Sequence, residues 1–140
     1  MGNPEYCLKS PCTGEEWQAY HGIRRKVFNL PRPEEPIDDA SHAMVLFLDD
    51  RPVGAIQIDD LRNQSAALRL VAIDPAHQGS GHGRVMLRQA EAFARSLGCC
   101  RAVVYATPEA AGFYADSGYD EEDWDEACMG GIVQMLKRLD

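Results

Sequence analysis

Gln78-Gly79-Ser80-Gly81-His82-Gly83 sets three glycines within five residues. The stretch follows an apolar run closed by Asp74-Pro75 and precedes an amphipathic pattern that opens at Arg84. A strand, a glycine turn and a helix N-terminus in that order form a cradle for an anion. Backbone N–H groups with no side chains in the way can point at a phosphate. The first helical turn adds unpaired donors and a partial positive charge. The expected ligand is a phosphorylated cofactor.

Working outward, Leu87, Ala90, Ala94 and Leu97 form one stripe of a helix over 84–97, widened by Met86 and Phe93. Arg84, Arg88, Glu91 and Arg95 lie off that stripe, and Glu91 pairs with Arg95 at i,i+4. Gly98 supplies a C-cap. Upstream, three apolar runs at 43–48, 53–58 and 66–73 read as antiparallel strands joined by Asp49-Asp50-Arg51-Pro52 and Arg62-Asn63-Gln64-Ser65. A first strand at 5–10 precedes Thr13-Gly14-Glu15-Glu16, a capping box, and a helix over 14–28. Pro31, Pro33 and Pro36 make 29–42 a loop. Downstream come a strand at 101–106, a helix started by Thr107-Pro108 and stopped by Gly118, the acidic run 120–126, and a closing strand over 131–139. The fold class is α/β with a mixed sheet: mostly antiparallel N-terminal strands, then a βαβ-type core around the glycine turn. Residues 1–140 read as one domain.

The net charge of −8 argues against nucleic acid as a partner. No apolar stretch approaches membrane-spanning length, and Met1–Tyr6 lacks signal-peptide features, so the expected location is the cytoplasm. Cys7, Cys12, Cys99, Cys100 and Cys128 contain no C-x-x-C pair and read as buried or half-buried thiols. His21, His42, His77 and His82 are scattered, so they read as surface or capping residues and no metal site is expected.

A P-loop needs Gly-Lys and then Ser or Thr, whereas Arg84 and Val85 follow Gly83. A dinucleotide fingerprint belongs on the first βα unit of a parallel sheet, and this turn follows antiparallel strands. The arrangement instead resembles the GNAT superfamily of acetyl-CoA-dependent N-acetyltransferases. Gln78, Gly81 and Gly83 match its Gln/Arg-x-x-Gly-x-Gly/Ala signature after Leu70-Val71-Ala72-Ile73-Asp74-Pro75. Phe113-Tyr114-Ala115-Asp116-Ser117-Gly118-Tyr119 matches a second signature, in the right order. The resemblance runs from the first helix to the last strand.

What the resemblance implies can be set out residue by residue. The pyrophosphate of CoA would sit on Gln78, Gly79, Ser80, Gly81, His82 and Gly83, with Arg84 adding charge. Glycine at 81 and 83 keeps Cβ atoms away from the phosphate oxygens. Main-chain groups of Val71, Ala72 and Ile73 would hold the pantetheine arm where the strand splays from its neighbour. A backbone N–H there would stabilise the oxyanion. Phe113 and Tyr114 would complete the cofactor site, with Tyr114 as the catalytic acid toward the departing thiolate.

Two departures stand out. The second signature usually begins with Asn where this chain has Thr107, and no acidic residue lies between Ala66 and Ile73 to serve as base. Asp59, Asp60, Asp38 and Asp39 are the other candidate bases, and a water relay needs none of them. Glu34, Glu35, Asp38 and Asp39 favour a cationic amine acceptor by charge. The expected activity is direct acetyl transfer from acetyl-CoA to a primary amine in a ternary complex, and homodimers are common among similar proteins. The alternative is a non-catalytic acyl-CoA-binding or regulatory module of the same fold.

Overall fold

The computed structural model describes residues 5–28, 39–79, 81–125 and 130–139. Its strands are β1 (Tyr6–Lys9), β2 (Ser41–Leu48), β3 (Arg51–Asp60), β4 (Ser65–Ile73), β5 (Arg101–Ala106), β6 (Asp120–Glu121) and β7 (Val133–Arg138). Its helices are α1 (Gly14–Phe28), α2 (His82–Ser96) and α3 (Ala111–Asp116). The strands form one sheet in the order β1-β2-β3-β4-β5-β7-β6. The β4–β5 pair is parallel and the other pairs are antiparallel. The expected mixed sheet and its βαβ core are therefore present, with α2 as the crossover between β4 and β5.

Strand alternation sorts the core onto two faces. On one face, Tyr20, Ile23 and Val27 of α1 pack on Val45, Phe47, Ala55 and Ala72. On the other, Met86, Leu87, Ala90 and Ala94 of α2 cover Met44, Leu46, Ile56 and Leu68. Trp17, 39% exposed and stacked on His21, stands outside the α1 stripe. The capping box forms: Thr13 Oγ1 accepts from Glu16 N at 3.1 Å, and Glu16 Oε1 reaches back to Cys12 N at 2.8 Å.

Several sequence expectations are corrected. Pro108 does not open a helix: 108–110 form a turn held by Thr107, whose carbonyl and hydroxyl both accept from Ala110 N–H, and α3 starts at Ala111. The acidic run contributes a short strand, β6, paired to β7. Cys99 is buried and Cys100 half-buried as expected, but Cys7 and Cys12 are exposed. Cys128, most of the 29–42 loop and Ser80 lie outside the described residues. No described helix is long and apolar enough to cross a membrane.

Glu91 departs furthest from expectation. It is only 3% exposed and does not pair with Arg95, whose Nε donates instead to Leu139 O at 3.3 Å. Its carboxylate accepts from Tyr119 Oη at 2.9 Å and from Lys137 Nζ at 2.9 Å. Lys137 also donates to Ser117 O at 3.0 Å, so the network ties α2 and β7 to the end of α3. Burial, then the Glu91 charge, pushes the Tyr119 phenol upward. Breaking a buried ion pair by removing one partner leaves the other uncompensated. Glu91→Ala is expected to cost about 3 kcal/mol in urea unfolding; a loss below about 0.5 kcal/mol, the ordinary surface range, contradicts this reading.

Candidate active site

The site begins where two parallel strands separate. β4 pairs with β5 only from Ser65↔Arg101 to Leu68↔Val104. Beyond that point β4 stays with β3 as far as Ile73, and β5 stays with β7 as far as Ala106. A bulge marks the parting. Between Ala55 and Gln57, β3 advances two residues while β4 runs from Ala72 back to Arg69. Leu70 takes up the extra residue in a left-handed conformation, φ 53°. For a leucine that costs about 1–2 kcal/mol. Such a bulge bends its strand and sharpens the local twist.

The gap opens a cleft of about 450 Å³. Leu68 to Val71 line one wall, and Tyr105, Ala106 and Thr107 line the other. Tyr114 of α3 lines it too, and Phe28 stands at its border. The open edge of β4 carries main-chain groups with no neighbouring strand. Asp74 N–H donates to Val53 O at 2.8 Å, so alternation turns Ala72 toward β3 and leaves Val71 and Ile73 facing the gap. The Gln78 amide donates to Ile73 O at 3.1 Å, which fixes the start of the turn against the end of β4.

The turn itself lies beyond the end of β4 and does not line the cleft. Gly81 is the N-cap of α2 with φ 83°, and no side chain caps that helix. Its first N–H groups are therefore left for solvent or ligand. Gly83 has a packing reason to be glycine: a Cβ would stand 3.1 Å from Phe113 Cζ. The two sequence signatures thus meet in one contact. Arg84 is exposed, with Nη2 4.0 Å from Asp116 Oδ2. His82 corrects the expectation of a surface histidine. It is buried, and its Nδ1 sits 2.9 Å from Tyr6 Oη, so its ring faces β1 and its backbone N–H alone belongs to the turn.

Tyr114 is 6% exposed, and its hydroxyl makes no hydrogen bond among the described residues. Burial pushes its phenol up to about 12. It is therefore a neutral donor throughout the physiological range.

Of the candidate bases, Asp60 caps Arg62 N at 2.8 Å and lies 3.9 Å from the Cys99 thiol. Asp59 lies 2.9 Å from Arg69 Nε, off the N–H axis, and accepts from Gln57 Nε2 at 2.9 Å. Neither lines the cleft. Asp39 is exposed, and Glu34, Glu35 and Asp38 lie outside the described residues.

A group that sequence reading missed stands on the β5 wall. Tyr105 Oη donates to Asp125 Oδ2. Its ring lies 4.6 Å from that of Trp124 and 5.4 Å from the Arg69 guanidinium. The only sequence signal was a tryptophan inside an acidic run.

The Tyr114 shift has a definite sign. A phenol raised from 10 to about 12 stabilises the folded state below pH 10, and that contribution is lost as pH rises through 10 to 12. Tyr114→Phe is expected to lose less stability than wild type between pH 9 and 11.5, read from urea midpoints. Parallel losses contradict a buried phenol.

Residues 6–119 match the family model described as acetyltransferase (GNAT) family. A stretch of 53 residues is 38% identical to glucosamine 6-phosphate N-acetyltransferase 1 of Oryza sativa subsp. japonica, covering 38% of this chain and 32% of the rice protein. The fold is shared with PaiA N-acetyltransferase from Thermoplasma acidophilum in complex with coenzyme A, at TM-score 0.73 and 16% identity over 96% of this chain and 99% of that one. It is shared also with a spermidine N-acetyltransferase chimera from Vibrio cholerae and hSSAT, at TM-score 0.75 and 17% identity over 96% of this chain and 95% of that one. The parted strands, the uncapped glycine turn and the match across 6–119 lead to one conclusion: this chain belongs to the GNAT family of acetyltransferases.

Proposed function

We propose that this protein transfers the acetyl group of acetyl-CoA directly to a primary amine within a ternary complex. The parting of β4 and β5 beside Tyr114 is the observation that carries this reading. An extended pantetheine arm fits a gap bordered by unpaired strand edge. Val71 and Ile73 offer main-chain groups to its amides, and Ala72 sets their spacing from the β3 side. The pyrophosphate goes to the N–H groups of Gln78, Gly79, Gly81, His82 and Gly83, with Ser80 and the charge of Arg84. Phe113, packed on Gly83, holds the turn against α3.

The amine attacks the thioester carbonyl, and a β4 N–H stabilises the oxyanion. Tyr114 faces the sulfur. With its phenol near 12 and a thiol near 8.5, full proton transfer to the thiolate runs uphill by about 5 kcal/mol. Tyr114 therefore works as a hydrogen-bond donor to sulfur as the C–S bond breaks, sharing its proton rather than surrendering it. A charge of −8 favours cationic acceptors. The proposed location is the cytoplasm, and a homodimer is the assembly that similar proteins suggest.

Thiol release from acetyl-CoA is to be followed with a panel of amines that includes spermidine and glucosamine 6-phosphate. Turnover is expected with at least one. Tyr114→Phe should then lower kcat by about 10²-fold or more while leaving the CoA Kd unchanged. CoA binding without turnover of any amine favours the non-catalytic module instead.

A further inference from the structure

We propose that Tyr105, backed by Asp125, seats the acceptor amine and takes its proton, an inference that rests on the acetyltransferase reading above. Tyr105 lines the cleft from the β5 wall, across from the open edge of β4 and in the same cavity as Tyr114. Its hydroxyl donates to Asp125 Oδ2. A phenol that donates to a carboxylate keeps acceptor capacity on its oxygen, and the carboxylate makes that oxygen more basic. An ammonium or attacking amine N–H needs such an acceptor.

The carboxylate is held in place from β7. Gln134 Oε1 accepts from Asp125 N at 2.7 Å and from Trp124 N at 3.0 Å. Trp124 Nε1 donates to Val104 O at 3.3 Å, which lays the indole against Tyr105. One member of an acidic run is thereby turned inward while Asp120 to Asp123 stay exposed. Among the described residues, the charged groups facing Tyr105 are Arg69 from β4 and Asp125 from the segment before β7. Asp59 of β3 offsets Arg69 at 2.9 Å. Tyr114 of α3 is neutral, Gln134 of β7 carries no charge, and α1 contributes only Phe28. Among the described residues two carboxylates thus stand against one guanidinium, which suits an ammonium. Asp59 and Asp60 are committed elsewhere.

In the step, the bound ammonium first gives one proton through Tyr105 to Asp125 and on to solvent, and the neutral nitrogen then forms the C–N bond to the thioester carbonyl as a second N–H proton passes to Tyr105 Oη. The Tyr105 proton passes in turn to Asp125. The C–S bond then breaks, leaving a CoA thiolate hydrogen-bonded by Tyr114. The proton on Asp125 returns to solvent and the thiolate takes one from solvent, so the products are amide and CoA thiol. Tyr105 touches the substrate, and Asp125 acts through it.

Two measurements test this on the full chain. With any amine that turns over, Tyr105→Phe and Asp125→Asn should each lower kcat/KM by about 10²-fold at neutral pH. The pH profile of each variant should rise until the pKa of the free amine, whereas that of wild type levels off below it. Unchanged rates and profiles overturn the proposal. The second measurement needs no turnover. In CoA-saturated Trp17→Phe protein, Trp124 fluorescence should respond saturably to n-butylamine at pH 7 and not to n-butanol, and adding Asp125→Asn should abolish the response. CoA binding without an amine response overturns this proposal alone. Failure of CoA to bind, read by calorimetry, overturns the acetyltransferase reading and this one with it.

Discussion

After Leu68 and Val104, two strands that begin as hydrogen-bonded partners go separate ways, and the candidate active site lies between them. A sheet gives up ladder hydrogen bonds only at a cost, because unpaired main-chain groups must find other partners. Here the break is built in. The extra residue at Leu70 bends β4 close to where it parts from β5. β5 is held by β7 over its whole length, from Arg101↔Arg138 to Ala106↔Val133. Each wall of the cleft is therefore anchored to a different half of the sheet. The gap follows from these pairings, and the edge of β4 is left ready for an amide-bearing chain.

The second half of the site depends on the first through α3. This helix has only six residues, too few to be stable by itself. It is pinned at one end by Phe113 against Gly83, where a Cβ would stand 3.1 Å from the ring. At the other end the Tyr119–Glu91–Lys137 network reaches Ser117 O. Tyr114 lies between these pins. The burial that raises its phenol also fixes where the phenol points. The glycine turn and the Phe-Tyr segment, 30 residues apart in the chain, are thus two sides of one packed joint.

Much of this was legible in the chain. The Gln78–Gly83 turn, its place after three antiparallel strands and the Phe113-Tyr114 segment were enough to indicate fold and family. The 3.6 period of α2 and the capping box at Thr13 located two helices. The bulge at Leu70 was not legible, because nothing about Leu-Arg-Leu-Val marks a left-handed residue. Glu91 is not legible because a helical wheel places it among charges and cannot see that Tyr119, after α3, and Lys137 of β7 arrive from far along the chain. The Tyr105–Asp125 contact is likewise tertiary: no periodicity links a β5 residue to the segment before β7. His82 escapes sequence reading for the same reason, its partner being Tyr6 of β1, far away along the chain.

The central claim is that the parted strands and the turn beyond them form one continuous cofactor seat. Backbone amide chemical shifts recorded while CoA is titrated into the protein test it directly. The account predicts large, saturating changes at Val71, Ile73 and 78–84, smaller ones at Phe113 and Tyr114, and none along β1 and β2. Changes confined to another surface, or no saturable change at the turn, contradict it.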